Sequence, residues 1–139
     1  MGRKGINHAA AWVGAIVFYL WGYLWFGVIF KSATAAAMSQ FGPITNPVTT
    51  GTYILAFIMA LILGYGTANA LADSSTPTVA HGISFGVFMG VVFYGSVTFT
   101  TALFAGRGMG LWYLDIGWAL IGFAIVGAIV GGWRSRAAG

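Results

Sequence analysis

Residues 9–30 read AAAWVGAIVFYLWGYLWFGVIF, and no charged side chain interrupts them. An α-helix needs about 20 consecutive apolar residues to cross the hydrocarbon core of a bilayer, so the stretch predicts a transmembrane helix. Arg3 and Lys4 precede it and the small residues of KSATAAAMSQ follow, which is also the outline of a secretory leader. A leader's apolar core runs to about 7–15 residues. This one is longer and dense with bulky rings, and it reads as an uncleaved anchor.

Working outward, three further stretches repeat the pattern, over residues 51–72, 79–105 and 112–133. Asn69 is the amide of the second and Asp115 lies near the start of the fourth. The third is long enough to tilt or run past the interface. The composition agrees: 59% of residues are hydrophobic and 6% charged, with a mean hydropathy of +0.88. A soluble domain is about a quarter charged, so this chain has too little polar surface to face water all round. The expected fold is an all-α membrane protein, a four-transmembrane-helix bundle forming a single domain over residues 1–139.

The formal charge of +4 sets six basic residues against Asp73 and Asp115. The cations are scattered singly or in pairs, with no stripe to neutralise a run of phosphates, which argues against a nucleic-acid partner. Cytoplasmic loops collect Lys and Arg. Placing Arg3, Lys4, Arg134 and Arg136 inside, against Lys31 and Arg107 outside, puts both termini in the cytoplasm. The expected location is the cell membrane, multi-pass, which is the inner membrane for a bacterial protein. The chain has no cysteine, so disulfides and thiolate metal sites are excluded.

Between the first two spans, SATAAAMSQF is expected to form a short helix on the membrane surface, broken afterwards by Pro43 and Pro47 because each restricts its predecessor. In the DSSTPT loop, Thr76 is expected to cap the third span with Pro77 at its first position.

Helices in a bilayer associate at small residues. Ala56, Ala60 and Gly64 form one such stripe, Gly82, Gly86 and Gly90 a second, and Gly117, Ala124 and Ala128 a third. All three call for partner helices within the bundle, in a second copy or in another subunit. A faint repeat superposes His8 on His81, Trp12 on Phe85, Gly22 on Gly95 and Phe26 on Phe99, which suggests a two-plus-two arrangement.

Polar residues inside a membrane are functional candidates by default. His8, Asp73 and His81 fall at the cytoplasmic ends of the spans, and Asp115 falls at the opposite side. Together they are the candidate polar or proton site, although solvation at the interface is the simpler explanation of the first three. No HxxxH or HExxH spacing is present, and no metal site is expected. Asp115 sits in the first turn of its helix, where a carboxylate is favoured, within reach of Lys31 or Arg107. The glycines of GRGMG lack the strand and lysine of a phosphate loop. No His–Asp pair lies near the serines and threonines of the third span to activate one.

Tyr19, Tyr23 and Tyr94 are the candidate aromatic lining. At 100° per residue, Tyr19 and Tyr23 share a stripe with Phe26 beside Ala11, Ala15 and Gly22, while Trp21 and Trp25 point the opposite way. The simplest assignment turns the tyrosines into the bundle, where phenol hydroxyls find partners. It leaves the tryptophans to lipid or another protein, with Trp25 in an interfacial belt.

With GYLWFGVIFKSA at residues 22–33, AHGISFGVFMG in the third span and LDIGWALIGFAIVGAIVGGW in the fourth, the chain resembles an uncharacterised bacterial membrane-protein family, domain of unknown function 1761. The resemblance covers nearly the whole chain. It departs from the family pattern at Gly27 and Val28, where a serine–proline kink is expected. It implies a four-span membrane protein and transfers no activity.

Three classes of function remain. The favoured one is a non-catalytic association or accessory subunit, a homo-oligomer or part of a larger membrane complex. The alternative is a small oligomeric transporter or channel for a small solute or protons. A membrane enzyme is disfavoured, because the two acids fall on opposite sides of the bilayer. No cofactor is predicted, and the expected partners are the lipid bilayer and the chain itself or other membrane subunits.

Overall fold

The computed structural model describes residues 5–43, 47–72, 78–106 and 108–138, the last five by backbone alone. Four helical segments are long and apolar enough to cross a membrane: His8–Ile29, Thr50–Leu71, Val79–Ala105 and Gly110–Trp133. The chain is a multi-pass membrane protein built as a helical bundle. Its four spans alternate in direction, so α1 and the last helix bring the two termini to one end, called here the terminal end. The opposite end carries the longest connection and is called the loop end.

Helix α1 (His8–Leu24) starts at Asn7, whose side chain accepts the Ala10 N–H at 3.2 Å. Past Leu24 it widens into a π-helical turn, Trp25–Ile29, closed by the Phe30 N–H on the Trp25 carbonyl at 2.9 Å. The helix end without the serine–proline kink is therefore a widened turn. Helix α2 (Lys31–Met38) is a short helix where the sequence led one to expect one. It runs into a 3-10 turn, Ser39–Phe41, and ends at Gly42 with φ of 85°.

Helix α3 (Thr50–Leu71) opens with a reciprocal cap between Thr49 and Thr52. Helix α4 (Val79–Met89) is capped by Thr78, whose hydroxyl accepts the His81 N–H at 3.1 Å. The cap thus lies two residues beyond the expected Thr76, because a threonine hydroxyl is available directly before the first helical residue; Thr76 and Pro77 lie outside the described residues. A π-helical stretch, Gly90–Gly95, joins α4 to α5 (Ser96–Ala105). Gly106, at φ of 67°, ends α5 in the left-handed conformation that glycine adopts without penalty. Helix α6 (Gly110–Ala138) completes the chain.

α6 is the centre of the molecule. α4 packs along one side of it, α1 along another, and α3 lies against α1. The α4–α6 seam is backbone on backbone. A Cβ on Gly82 would run into the Gly127 carbonyl, one on Gly86 into the Phe123 carbonyl, and one on Gly131 into the Thr78 carbonyl. α3 meets α1 in the same manner at Gly64, which faces the Ala11 carbonyl, with the Ala15 methyl 3.5 Å from its Cβ position. Towards the terminal end Ala10, Ala11, Ala68, Leu71, Val126 and Val130 form the closed core. Of the other small residues marked in the sequence, Ala60 is buried, Ala56 is exposed, and Gly117 faces the Trp25 ring at 2.9 Å from its Cβ position. Ala124 and Ala128 border α4, their backbone nitrogens near Gly86 and Gly82.

Two expectations are overturned. Trp21 and Trp25 do not turn to lipid. Their indole N–H groups donate to α6, Trp21 to the Trp118 carbonyl at 3.1 Å and Trp25 to the Leu114 carbonyl at 3.0 Å. α1 is flanked by two helices, so the side carrying Trp21 and Trp25, next to the Ala11/Ala15 stripe, is buried against α6, while the side opposite that stripe is exposed at Leu20 and Leu24. The two-plus-two arrangement is also incomplete. α1 packs on α6, but α4–α5 and α3, its counterpart under the repeat, scarcely touch.

Candidate functional site

The missing contact leaves a groove between α3 and α4–α5. Its larger part, about 940 Å³, is walled by the first span, α3 and α6 and reaches the third span at Tyr94, and a second part, between α3 and α4–α5 nearer the terminal end, has a volume of about 570 Å³. Leu63, Tyr94 and Phe123 border both parts, so the two run on along one crease.

α1 contributes Tyr19, Tyr23 and Phe26, which the helical period places on one stripe. α3 contributes the facing wall with Tyr53, Ala56 and Met59. The back wall is a cluster of rings at α6. Trp118 lies 5.2 Å from Phe18, 5.5 Å from Phe26 and 6.3 Å from Tyr94, measured between ring centroids. Phe123 lies 5.8 Å from Tyr94, edge to face. Edge-on and tilted aromatic pairs contribute about 0.5–1.5 kcal/mol each, so this wall is preformed.

The three tyrosines singled out from the sequence therefore border one groove, with Tyr53 as a fourth. Tyr19 stacks edge-on against Phe57 at 5.6 Å, and Tyr23 is 68% exposed at the rim. Among the described residues, the phenol hydroxyls of Tyr19, Tyr23, Tyr53 and Tyr94 form no hydrogen bond within the protein. The Trp118 Nε1 is buried without a partner, 3.4 Å from the position a Gly22 Cβ would take. Tyr53 and Trp118 carry no special signal in the sequence. Only the separation of α3 from α4–α5, a relation between distant segments, makes them part of a site.

The three candidate ionisable residues that are described, His8, His81 and Asp115, do not come together. His8 lies at the start of α1, its Nδ1 3.0 Å from the Tyr65 hydroxyl on α3. His81 is exposed in the first turn of α4. Asp73 lies outside the described residues. Asp115 lies towards the loop end of α6, half-buried and close enough to interact electrostatically with Tyr94. Among the described residues it makes no ion pair with Lys31, which is exposed; Arg107 lies outside them. Nor do three metal-binding side chains meet anywhere among the described residues.

The hydroxyls of the third span turn back on their own helix. Thr98 donates to the Tyr94 carbonyl at 2.6 Å, Thr100 to Ser96 at 2.9 Å and Thr101 to Val97 at 3.0 Å, and Ser96 binds the Val92 carbonyl. Thr98 has one tie across helices, accepting the Trp112 indole N–H at 2.9 Å.

The arrangement is one of shape and hydrogen-bond donors, and among the described residues no charged group lines the groove wall. Against known proteins, the model of the family described as Protein of unknown function (DUF1761) matches residues 9–131. The chain belongs to that family. No curated protein and no solved structure matches it.

Proposed function

We propose that the protein acts by association within the bilayer rather than by catalysis, as a homo-oligomer or an accessory subunit, with the groove between α3 and α4–α5 as its binding face. One observation carries this reading. Three of the four possible neighbour contacts in the bundle are closed by packing, and the fourth is left as a preformed aromatic cleft. A helix pair in lipid gains from close packing, so an open face lined by fixed rings is a face kept for something else. The protein sits in the cell membrane with both termini in the cytoplasm on this reading.

The test is the state of the full chain extracted in mild detergent, measured by native mass spectrometry. Ala56 is exposed and borders the groove, so Ala56→Trp fills the cleft without touching a packed seam. The expected result is a bound component, whether a copy, a subunit or a smaller molecule, that Ala56→Trp displaces. Ile54→Trp, on an exposed part of α3 away from the groove, leaves it in place. A bare monomer indifferent to both changes overturns the proposal. Solute or proton flux in liposomes, lost in Tyr19→Phe or Asp115→Asn, would establish the transporter in its stead; the depth of Tyr19 and Tyr94 in the groove is what favours that second reading.

A further inference from the structure

Resting on the groove as the binding face, its donors indicate what it holds. By the 1.5 Å rise per residue, Tyr19 lies about 15 Å from the loop end of its span, Tyr94 about 16 Å and Trp118 about 12 Å. The hydrocarbon core is about 30 Å thick, so these three groups gather near its middle. Water is absent at that depth and unpaired polar groups are costly there. Yet the Tyr19 and Tyr94 hydroxyls have no partner among the described residues, and the Trp118 indole N–H is buried without one.

The donors select among occupants. Phospholipid tails offer no acceptor at the midplane, and ester carbonyls sit at the interface, out of reach of Tyr19 and Tyr94. A transmembrane helix of about 10 Å diameter and 30 Å length fills on the order of 2,400 Å³, so a neighbouring copy or subunit can cover the groove but does not fill its parts of about 940 and 570 Å³. The larger part lies within the roughly 300–1,000 Å³ of small-molecule sites, whose walls are aromatic with a few placed polar groups. The Trp118 N–H is sealed behind the wall, but the Tyr19 and Tyr94 hydroxyls border the cavity unpaired and can both donate, so an occupant that accepts hydrogen bonds satisfies them. It must also be flat enough to lie among Phe26, Tyr94 and Phe123, uncharged, and soluble in the bilayer.

We infer that the groove between α3 and α4–α5 is a binding site for a bilayer-soluble carbonyl compound of the quinone class. Its ring lies against the α6 aromatic wall and its carbonyl oxygens accept from Tyr19 and Tyr94. Its apolar tail leaves along the part of the groove bordered by Ile62, Phe93 and Val97, all exposed.

The test is equilibrium binding of a tritiated decyl-tailed benzoquinone to the purified full chain in nanodiscs, with empty nanodiscs subtracted for partitioning. Saturable binding of one molecule per chain is expected. Tyr94→Phe and Tyr19→Phe keep the rings, and each weakens binding about three- to tenfold, as the loss of one hydrogen bond should. Ala56→Trp abolishes it, and decylbenzene, which lacks the carbonyls, does not compete. Circular dichroism confirms that each variant is folded. Linear uptake equal to that of empty nanodiscs overturns the inference, as does equal affinity in both Tyr→Phe variants. If mass spectrometry instead finds a second copy, a subunit or a phospholipid displaced by Ala56→Trp, the quinone assignment falls and the groove as binding face stands. If Ala56→Trp displaces nothing, both fall.

Discussion

The two faces of the third span differ more than any other pair of regions in the molecule. Along α6, α4 has no side chains at Gly82 and Gly86 and brings its backbone against carbonyls. Towards α3, the same span presents Phe85, Met89, Phe93 and Tyr94 across a gap. In water both faces would be driven shut by the hydrophobic effect. In lipid, apolar area gives no such drive, and only close packing or hydrogen bonding joins helices. The seam closes because glycine lets backbones meet, and the groove stays open because large rings hold them apart. On the reading proposed above, packing and binding fall on adjacent sides of one helix.

The largest expected effect breaks the seam. Gly82→Leu places a side chain where the Gly127 carbonyl stands, and relief requires α4 and α6 to part. Overpacking of this kind costs about 1–3 kcal/mol, occasionally more, and a rigid backbone contact belongs at the upper end. Size-exclusion chromatography in detergent should show loss of the monodisperse species, and Gly127→Leu should reproduce it. Ala56→Leu on the groove wall should change stability by no more than about 0.5 kcal/mol. Equal tolerance at both sites would erase the distinction between seam and groove.

The four spans were legible because length and unbroken apolarity suffice to identify them. The apolar spans start and end within two residues of the expected boundaries, although α6 itself runs on to Ala138. The resemblance to the family was legible in the same runs. The orientation of α1 was not. A helical wheel assumes one buried face, and α1 has two: Ala11 and Ala15 against α3, and Trp21 and Trp25 against α6. Lipid is as apolar as the bundle interior, so nothing in hydropathy separates the second buried face from a lipid-facing one. The tyrosine stripe was recognisable as a set, but its place on a groove depended on α3 standing apart from α4–α5. No local pattern encodes that. His8 and His81 share an end of the bundle, yet α1 and α4 are separated by α6, so matching depth did not make them neighbours.

The next effect in size probes the side where aromatic rings do close a contact. Trp25→Phe keeps a ring over Gly117 and removes the N–H donated to the Leu114 carbonyl. A loss of about 1 kcal/mol or somewhat less is expected, read as a lowered thermal midpoint in detergent. Trp133→Phe, at an exposed position, should be silent. A silent Trp25→Phe would return that indole to the interfacial role.

Thr98→Val sharpens the comparison from the groove side. It removes the acceptor of the Trp112 indole, the tie that holds α5 to α6 beside the open face. A global cost of under about 1 kcal/mol is expected. Its signature is local: faster amide hydrogen exchange across residues 96–105, with the α4 seam unchanged. Uniform acceleration over α4 and α5 would mean that seam and groove wall open as one unit.

The smallest effect concerns how α3 is held. The Tyr65 hydroxyl meets His8 Nδ1 at 3.0 Å, at an exposed position near the terminal end. An exposed hydrogen bond competes with water, so Tyr65→Phe should cost no more than about 0.5 kcal/mol. Gly64, one residue earlier, is different in kind: a Cβ there meets the Ala11 carbonyl, and Gly64→Val should cost several times more in the same thermal assay. If the order is reversed, α3 is held by a polar latch at one end instead of by backbone contact. The groove would then widen and narrow with that latch, and the cleft would be a moving part rather than a fixed one.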